Sequence, residues 1–206
     1  MRVIMLLVAS LALARPAGAF QVYGEIGNKW RALGASTGPL GVPASDEGPA
    51  AGGGRINAFK NGFVTWHPKY GAHAVWGLIG AKWNLLGREL GLGFPVTDEM
   101  PGANGGRYND FSSGATIDFL PKAGTHAVVG LIRTKWLATG REGGTCGYPT
   151  TDEFAVTGGR RSNFQFGTIS WITGARAANA QCTGPGAGAA APVKIDAGVA
   201  PGSVKP

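Results

Sequence analysis

The chain has 206 residues, a formal charge of +7, and only 15% charged side chains, with 36 glycines and two cysteines. Lys and Arg are scattered singly with no basic block, which argues against nucleic acid and leaves anionic wall polymers or plain solubility as the meaning of the charge. After the first residues, no segment approaches the ~20 apolar residues that a membrane span needs.

In chain order, the first element is a leader. "MRVIMLLVASLALARPAGA" has a basic start at Arg2, an apolar run and small residues ending in Ala17-Gly18-Ala19. That is the pattern of a signal peptide over residues 1–19, with Phe20 as the mature N-terminus and export as the destination. The leader holds no acidic residue, so its removal takes Arg2 and Arg15 and leaves a charge of +5.

Three short helices follow at a fixed period. "VYGEIGNKWRALG", "VWGLIGAKWNLLG" and "VVGLIRTKWLATG" each place Ile and Trp four residues apart, and Trp30, Trp83 and Trp136 recur every 53 residues. The spacing predicts one buried helix face per unit. Glycines 34, 87 and 140 suit the left-handed position that ends a helix. The three tryptophans therefore read as core.

Each helix leads into a turn: "LGVPASDE", "LGFPVTDE" or "CGYPTTDE". Pro43, Pro95 and Pro149 can neither continue a helix nor donate to a sheet ladder, so the chain turns there. The acids Asp46-Glu47, Asp98-Glu99 and Asp152-Glu153 can accept neighbouring backbone N–H groups. Arg55, Arg107 and Arg160 recur after each pair and suit acid–arginine bridges. We read these nine residues as structural fasteners. A β-hairpin follows, in "GRINAFKNGFVTW", "GRYNDFSSGATIDF" and "GRRSNFQFGTISW", and then a further short strand, "AHAVW" or "THAVV". The third unit's version, "GARAANAQC", is degenerate, as a terminal cap would be.

The expected fold is an α+β repeat of three tandem ~53-residue units, each a short helix plus a small β-hairpin, stacked as an arc or a propeller-like ring. The units span residues 20–72, 73–125 and 126–182. A β-trefoil shares the threefold repetition, but the helix in each unit argues against it. Cys146 and Cys182 stand 36 residues apart in a chain bound for an oxidising compartment, and a bridge between them would contribute about 4 kcal/mol. Beyond them, residues 183–206 lack aromatics and are rich in Gly, Ala and Pro, the composition of a disordered tail.

These residues carry a resemblance. Leu92-Gly93-Phe94-Pro95, its counterparts in the flanking units, and the recurring Trp, acid pair and GAH segment make the chain similar to LGFP-repeat proteins. The likeness covers roughly residues 20 to 178. It implies an exported, cell-envelope-associated module of the kind found in mycolate-bearing actinobacteria, alone or appended to mycolyltransferases, esterases and wall amidases. It brings no defined binding residues.

Catalysis finds little support. The acid pairs occur identically in every unit, whereas acid–base catalysis needs unlike roles. "GASTG" at Gly34 to Gly38 follows a helix, not the strand a nucleophile elbow requires. His67, His73 and His126 form no metal motif, and no cofactor is expected. Binding candidates are the aromatics and histidines outside the helix pattern: Trp66, Tyr70, His73, Trp76, Phe119, His126 and Trp171. Aromatic faces pack on sugar C–H surfaces, and repetition suits a polymeric target. The leading expectation is a secreted, non-catalytic module that binds cell-wall polysaccharide. The alternatives are a structural or protein-interaction repeat with an envelope-protein partner, and a cryptic cell-wall hydrolase.

Overall fold

A computed structural model of the chain describes residues 20–184. The expected signal peptide at 1–19, and the expected tail from residue 185 onward, lie outside the described residues.

The described chain is three repeats of one plan. The first comprises α1 (Gly24–Ala32), β1 (Gly48–Pro49), β2 (Arg55–Phe59), β3 (Gly62–His67) and β4 (Gly71–Trp76). The second comprises α2 (Gly77–Leu85), the single turn α3 (Arg88–Gly91), β5 (Met100–Pro101), β6 (Arg107–Asp110), β7 (Thr116–Leu120) and β8 (Gly124–Val128). The third comprises α4 (Gly130–Ala138), β9 (Phe154–Val156), β10 (Gly159–Phe164), β11 (Gly167–Ile172) and β12 (Asn179–Cys182).

Each unit carries a four-stranded antiparallel sheet in simple meander order. The expected hairpin is its centre. The expected second strand is its inner edge, and a two- or three-residue strand at the outer edge adds what the sequence did not signal. The segment read as degenerate, "NAQC", pairs with β11 like its counterparts, because backbone bonding needs no particular side chains. Thr183 and Gly184, placed in the tail by composition, donate to the Phe166 and Thr145 carbonyls, so backbone bonding continues past Cys182.

The helix faces are buried where the spacing put them. Ile26, Ile79 and Ile132 are inaccessible, as are Trp83 and Trp136, while Trp30 is half-buried. The three tryptophans do the same second task. Their indole N–H groups donate to the carbonyls of Gly41, Gly93 and Gly147 at 3.0, 3.1 and 3.0 Å, the glycine of each Leu/Cys-Gly-aromatic/Val-Pro turn. The following prolines bridge to Phe59, Phe111 and Phe164, which are buried beneath the tryptophans. Helix, turn and hairpin are thus tied at one point in each unit. Glycines 34, 87 and 140 end the helices at φ of 93°, 84° and 97°, the left-handed conformation the sequence requires there.

No unit completes its core alone. Val75, at the end of the first sheet, packs with Ile79, Trp83, Phe111 and Ile117 of the second unit, and Val128 repeats this for the third. Val22, ahead of α1, takes the same place for the first unit. The Cys146–Cys182 disulfide joins the third turn to the last strand. It stands where Leu40 and Leu92 fill the other two units.

Candidate functional site

A groove lies beside the start of α4. In the third unit it encloses about 230 Å³ and is lined by Val129, Gly130, Leu131, Ile132, Glu153, Arg160 and Trp171. The wall comes from sheet register. Arg160 stands directly opposite Trp171 on β10 and β11, and its guanidinium pairs with Glu153. The other units reproduce the set, with Arg55 opposite Trp66 and paired with Glu47, and Arg107 opposite Phe119 with Glu99 at 3.7 Å. Each glutamate is largely enclosed and each arginine about half exposed, so the pair presents N–H donors outward. Burial pushes the Glu99 carboxyl up, against the pull of Arg107.

The opposite wall is the helix start. Gly24, Gly77 and Gly130 open α1, α2 and α4 at φ of 56°, 56° and 54°, and none of these helices has a side-chain N-cap. Tyr23, Trp76 and Val129 precede them. Tyr23, Leu78 and Leu131 are exposed there. Of the seven binding candidates, Trp171 lines this groove, Trp66 and Phe119 hold its register in the other sheets, and Trp76 lines a separate groove beside α2 with Phe59, Lys60 and Phe63; all four are half-buried. Trp171 further donates its indole N–H to the Ala175 carbonyl at 2.7 Å, which holds its ring orientation.

The other three candidates lie at the junctions between units. His73 and His126 each face a carbonyl three residues back, Tyr70 and Ala123, at 3.0 Å, so Nε2 carries the proton. Their Nδ1 atoms turn to Asp98 and Asp152 at 3.5 and 3.6 Å. Tyr70 stacks on His67 with centroids 4.8 Å apart. Both rings meet Phe94 of the second unit.

The two acids of each turn therefore do different things. The glutamate reaches sideways to the arginine of its own sheet, while Asp98 and Asp152 reach back to the preceding unit. Asp98 accepts from the Ala74 N–H at 3.0 Å and from Lys29 of α1 at 2.7 Å. Asp152 accepts from the Ala127 N–H at 2.9 Å and pairs with Lys82 of α2. Burial would raise Asp98, but the neighbouring His73 and the hydrogen bonds from Lys29 and the Ala74 N–H outweigh it and bring its pKa down to about 2. Asp46, with no earlier unit, accepts only the Gln21 N–H at 3.0 Å among the described residues.

The LGFP aromatic completes each junction. Phe94 lies over Gly54 of the first unit, where any Cβ would overlap its ring, and Tyr148 lies likewise over Gly102 and Gly106 of the second. Tyr148 also donates to the Ala103 carbonyl.

Sequence reasoning missed the polar cluster at the second junction. Asp110 holds Arg133 at 2.9 Å and Arg141 at 3.1 Å, and the Arg141 guanidinium stacks over Tyr108 at 4.0 Å. Arg141 occupies a left-handed position, φ 56°, which is strained for a side-chain-bearing residue. Nearby, Asp118 is buried with no hydrogen-bond partner for either carboxylate oxygen among the described residues. Burial, reinforced by the charge of Glu142, pushes its carboxyl well above the ordinary range. Thr65 and Ser170 hold the same register in the other sheets, opposite His73 and Asn179 as Asp118 is opposite His126. A carboxylate replacing a small hydroxyl at a repeated position was the available signal. Ser36 of "GASTG" lies in an exposed turn after α1, not on a strand-to-helix elbow.

A family model described as LGFP repeat matches residues 40–91, 92–144 and 147–185, most of the chain. The first two matches run from a turn, through its sheet, to the following helix, and the third runs from its turn through the last sheet. No curated protein matches the chain.

Proposed function

The chain belongs to the LGFP-repeat family, and from that premise we propose that it is an exported, non-catalytic envelope module that holds wall polysaccharide against its repeated aromatic–arginine surface. The observation that carries this reading is the threefold recurrence of an aromatic ring, an outward arginine held by an enclosed glutamate, and a helix start. Each ring offers a face for sugar C–H groups, and each arginine offers donors for hydroxyl oxygens. Weak sites on one scaffold gain by effective concentration when the target is itself a polymer. The envelope association that the family implies agrees with the signal-peptide pattern of residues 1–19. In this reading the three units form an open arc, because Val42 and Ile172, at its two ends, are both half exposed.

The test is cosedimentation with protein-stripped arabinogalactan–peptidoglycan over a salt series, with Trp66→Ala and Trp171→Ala variants of unchanged melting temperature alongside. Retention is expected to survive salt and to weaken about fivefold per ring, roughly 1 kcal/mol each. Retention that vanishes in modest salt would reduce the interaction to charge attraction. No retention at all would assign that surface to a protein partner.

A further inference from the structure

The junction between units is built from a projecting side and a receiving side, and the chain uses the pair twice internally. The projecting side is the turn: Phe94 is 6% and Tyr148 1% exposed once seated. The receiving side is a glycine at the start of the second strand and the residue one step past the groove aromatic on the third. These are Gly54 with His67 in the first unit, and Gly106 with Leu120 in the second. The clasp beside them joins a helix lysine to the next unit's aspartate, as Lys29 does with Asp98 and Lys82 with Asp152.

At the two ends, half of this junction is left over. Val42 projects from the first turn, 51% exposed, in the place of Phe94 and Tyr148. Gly159 and Ile172 form the receiving side of the third unit, and Ile172 is 51% exposed where Leu120 is 8%. Lys135 holds the position of Lys29 and Lys82 on α4, yet it meets no carboxylate within 4 Å among the described residues. Asp46 is the one turn aspartate without a lysine there. The apolar remainder and the charged remainder are complementary, and both lie at opposite ends of the same chain.

We propose that copies of this chain associate head to tail, the Val42 turn of one copy seating against Gly159 and Ile172 of the next, with Lys135 meeting Asp46. The contact continues an interface the chain already makes with itself. It joins unlike surfaces, so it either closes into a ring of a few copies or runs on as a filament. Valine fills less of the seat than phenylalanine or tyrosine, which makes this junction weaker than the internal two and its occupancy dependent on concentration.

Sedimentation velocity of the purified, disulfide-bonded chain between about 1 and 100 μM tests it. The wild type is expected to gain mass with concentration. Val42→Lys and Ile172→Lys, both at half-exposed positions that leave the fold intact, should each remain monomeric throughout. Mixing the two variants is the sharper experiment. Val42→Lys keeps a sound receiving side and Ile172→Lys a sound turn, so together they should form one-to-one pairs that grow no further. A wild-type chain that stays monomeric at the highest concentration, association that survives either substitution, or a mixture that fails to pair would each overturn the proposal.

Discussion

Asp98 gathers two donors from the preceding unit, Lys29 and the Ala74 N–H, with His73 beside them, and its lowered pKa makes that grip dependent on pH. The sign follows from linkage. A carboxyl with a folded pKa near 2 and an ordinary value of 3.8 stabilises the fold above the ordinary value, and the contribution fades as pH falls through the folded one. Asp98→Asn is therefore expected to cost about 1 to 2 kcal/mol at neutral pH, discounted for the partial exposure of the site. In urea titrations the gap from wild type should close between pH 4 and pH 2. A gap that persists unchanged at pH 2 would mean that the carboxylate charge is not what binds the junction. Asp118 bends the curve the other way, since its raised carboxyl favours the folded state at low pH and loses that advantage as pH rises. The sequence identified Asp98 as a fastener because it recurs with its neighbours. It was silent on Asp118, because a single carboxylate among hydroxyls reveals nothing of its burial until strands β6 to β8 enclose it.

The helices and hairpins were legible because a period of four or of two residues is a local signal. Ile26 and Trp30, Ile79 and Trp83, and Ile132 and Trp136 needed only helical geometry to share a face. The outer strands β1 and β5 were not legible, since two residues such as Gly48 and Pro49 carry no alternation. Nor was the indole bond to the turn glycine, which spans 10 or 11 residues and depends on how the turn folds back. This bond predicts that Trp83→Phe destabilises more than its modest change in volume suggests. The half-buried Gly93 carbonyl would lose its partner, at about 1 to 3 kcal/mol by thermal or urea melting. A loss of only a few tenths would show that a water replaces the indole.

Across the whole molecule, the two internal junctions share a plan but differ in chemistry. The first is aromatic, built on His67, Tyr70 and Phe94, and the second is charged around Arg141 and Asp110. The repeat count and the existence of stacking followed from the 53-residue period, whereas which side chains would meet across a junction did not, because the partners lie tens of residues apart. Of the groove, the aromatics were legible as outsiders to the helix pattern. Their pairing with Arg55, Arg107 and Arg160 required the strand register. Phe94→Ala should remove the aromatic junction at a cost of about 3 to 5 kcal/mol. It should also split a single unfolding transition into two, with the first unit melting before the others. A variant that still melts in one step would place the coupling of the units in the Lys29–Asp98 clasp instead.

The disulfide has a mechanical consequence. Cys182 ends the last strand, and Cys146 lies in the turn that follows α4. A pull on the C-terminal segment reaches Cys182, crosses the covalent bond and arrives at the turn, so it bypasses the hydrogen-bonded ladders of β9 to β12. The last sheet cannot be peeled strand by strand from that end. The load falls instead on the seat of Tyr148 and on the Lys82–Asp152 pair, and a chain tethered by its tail would part first between its second and third units.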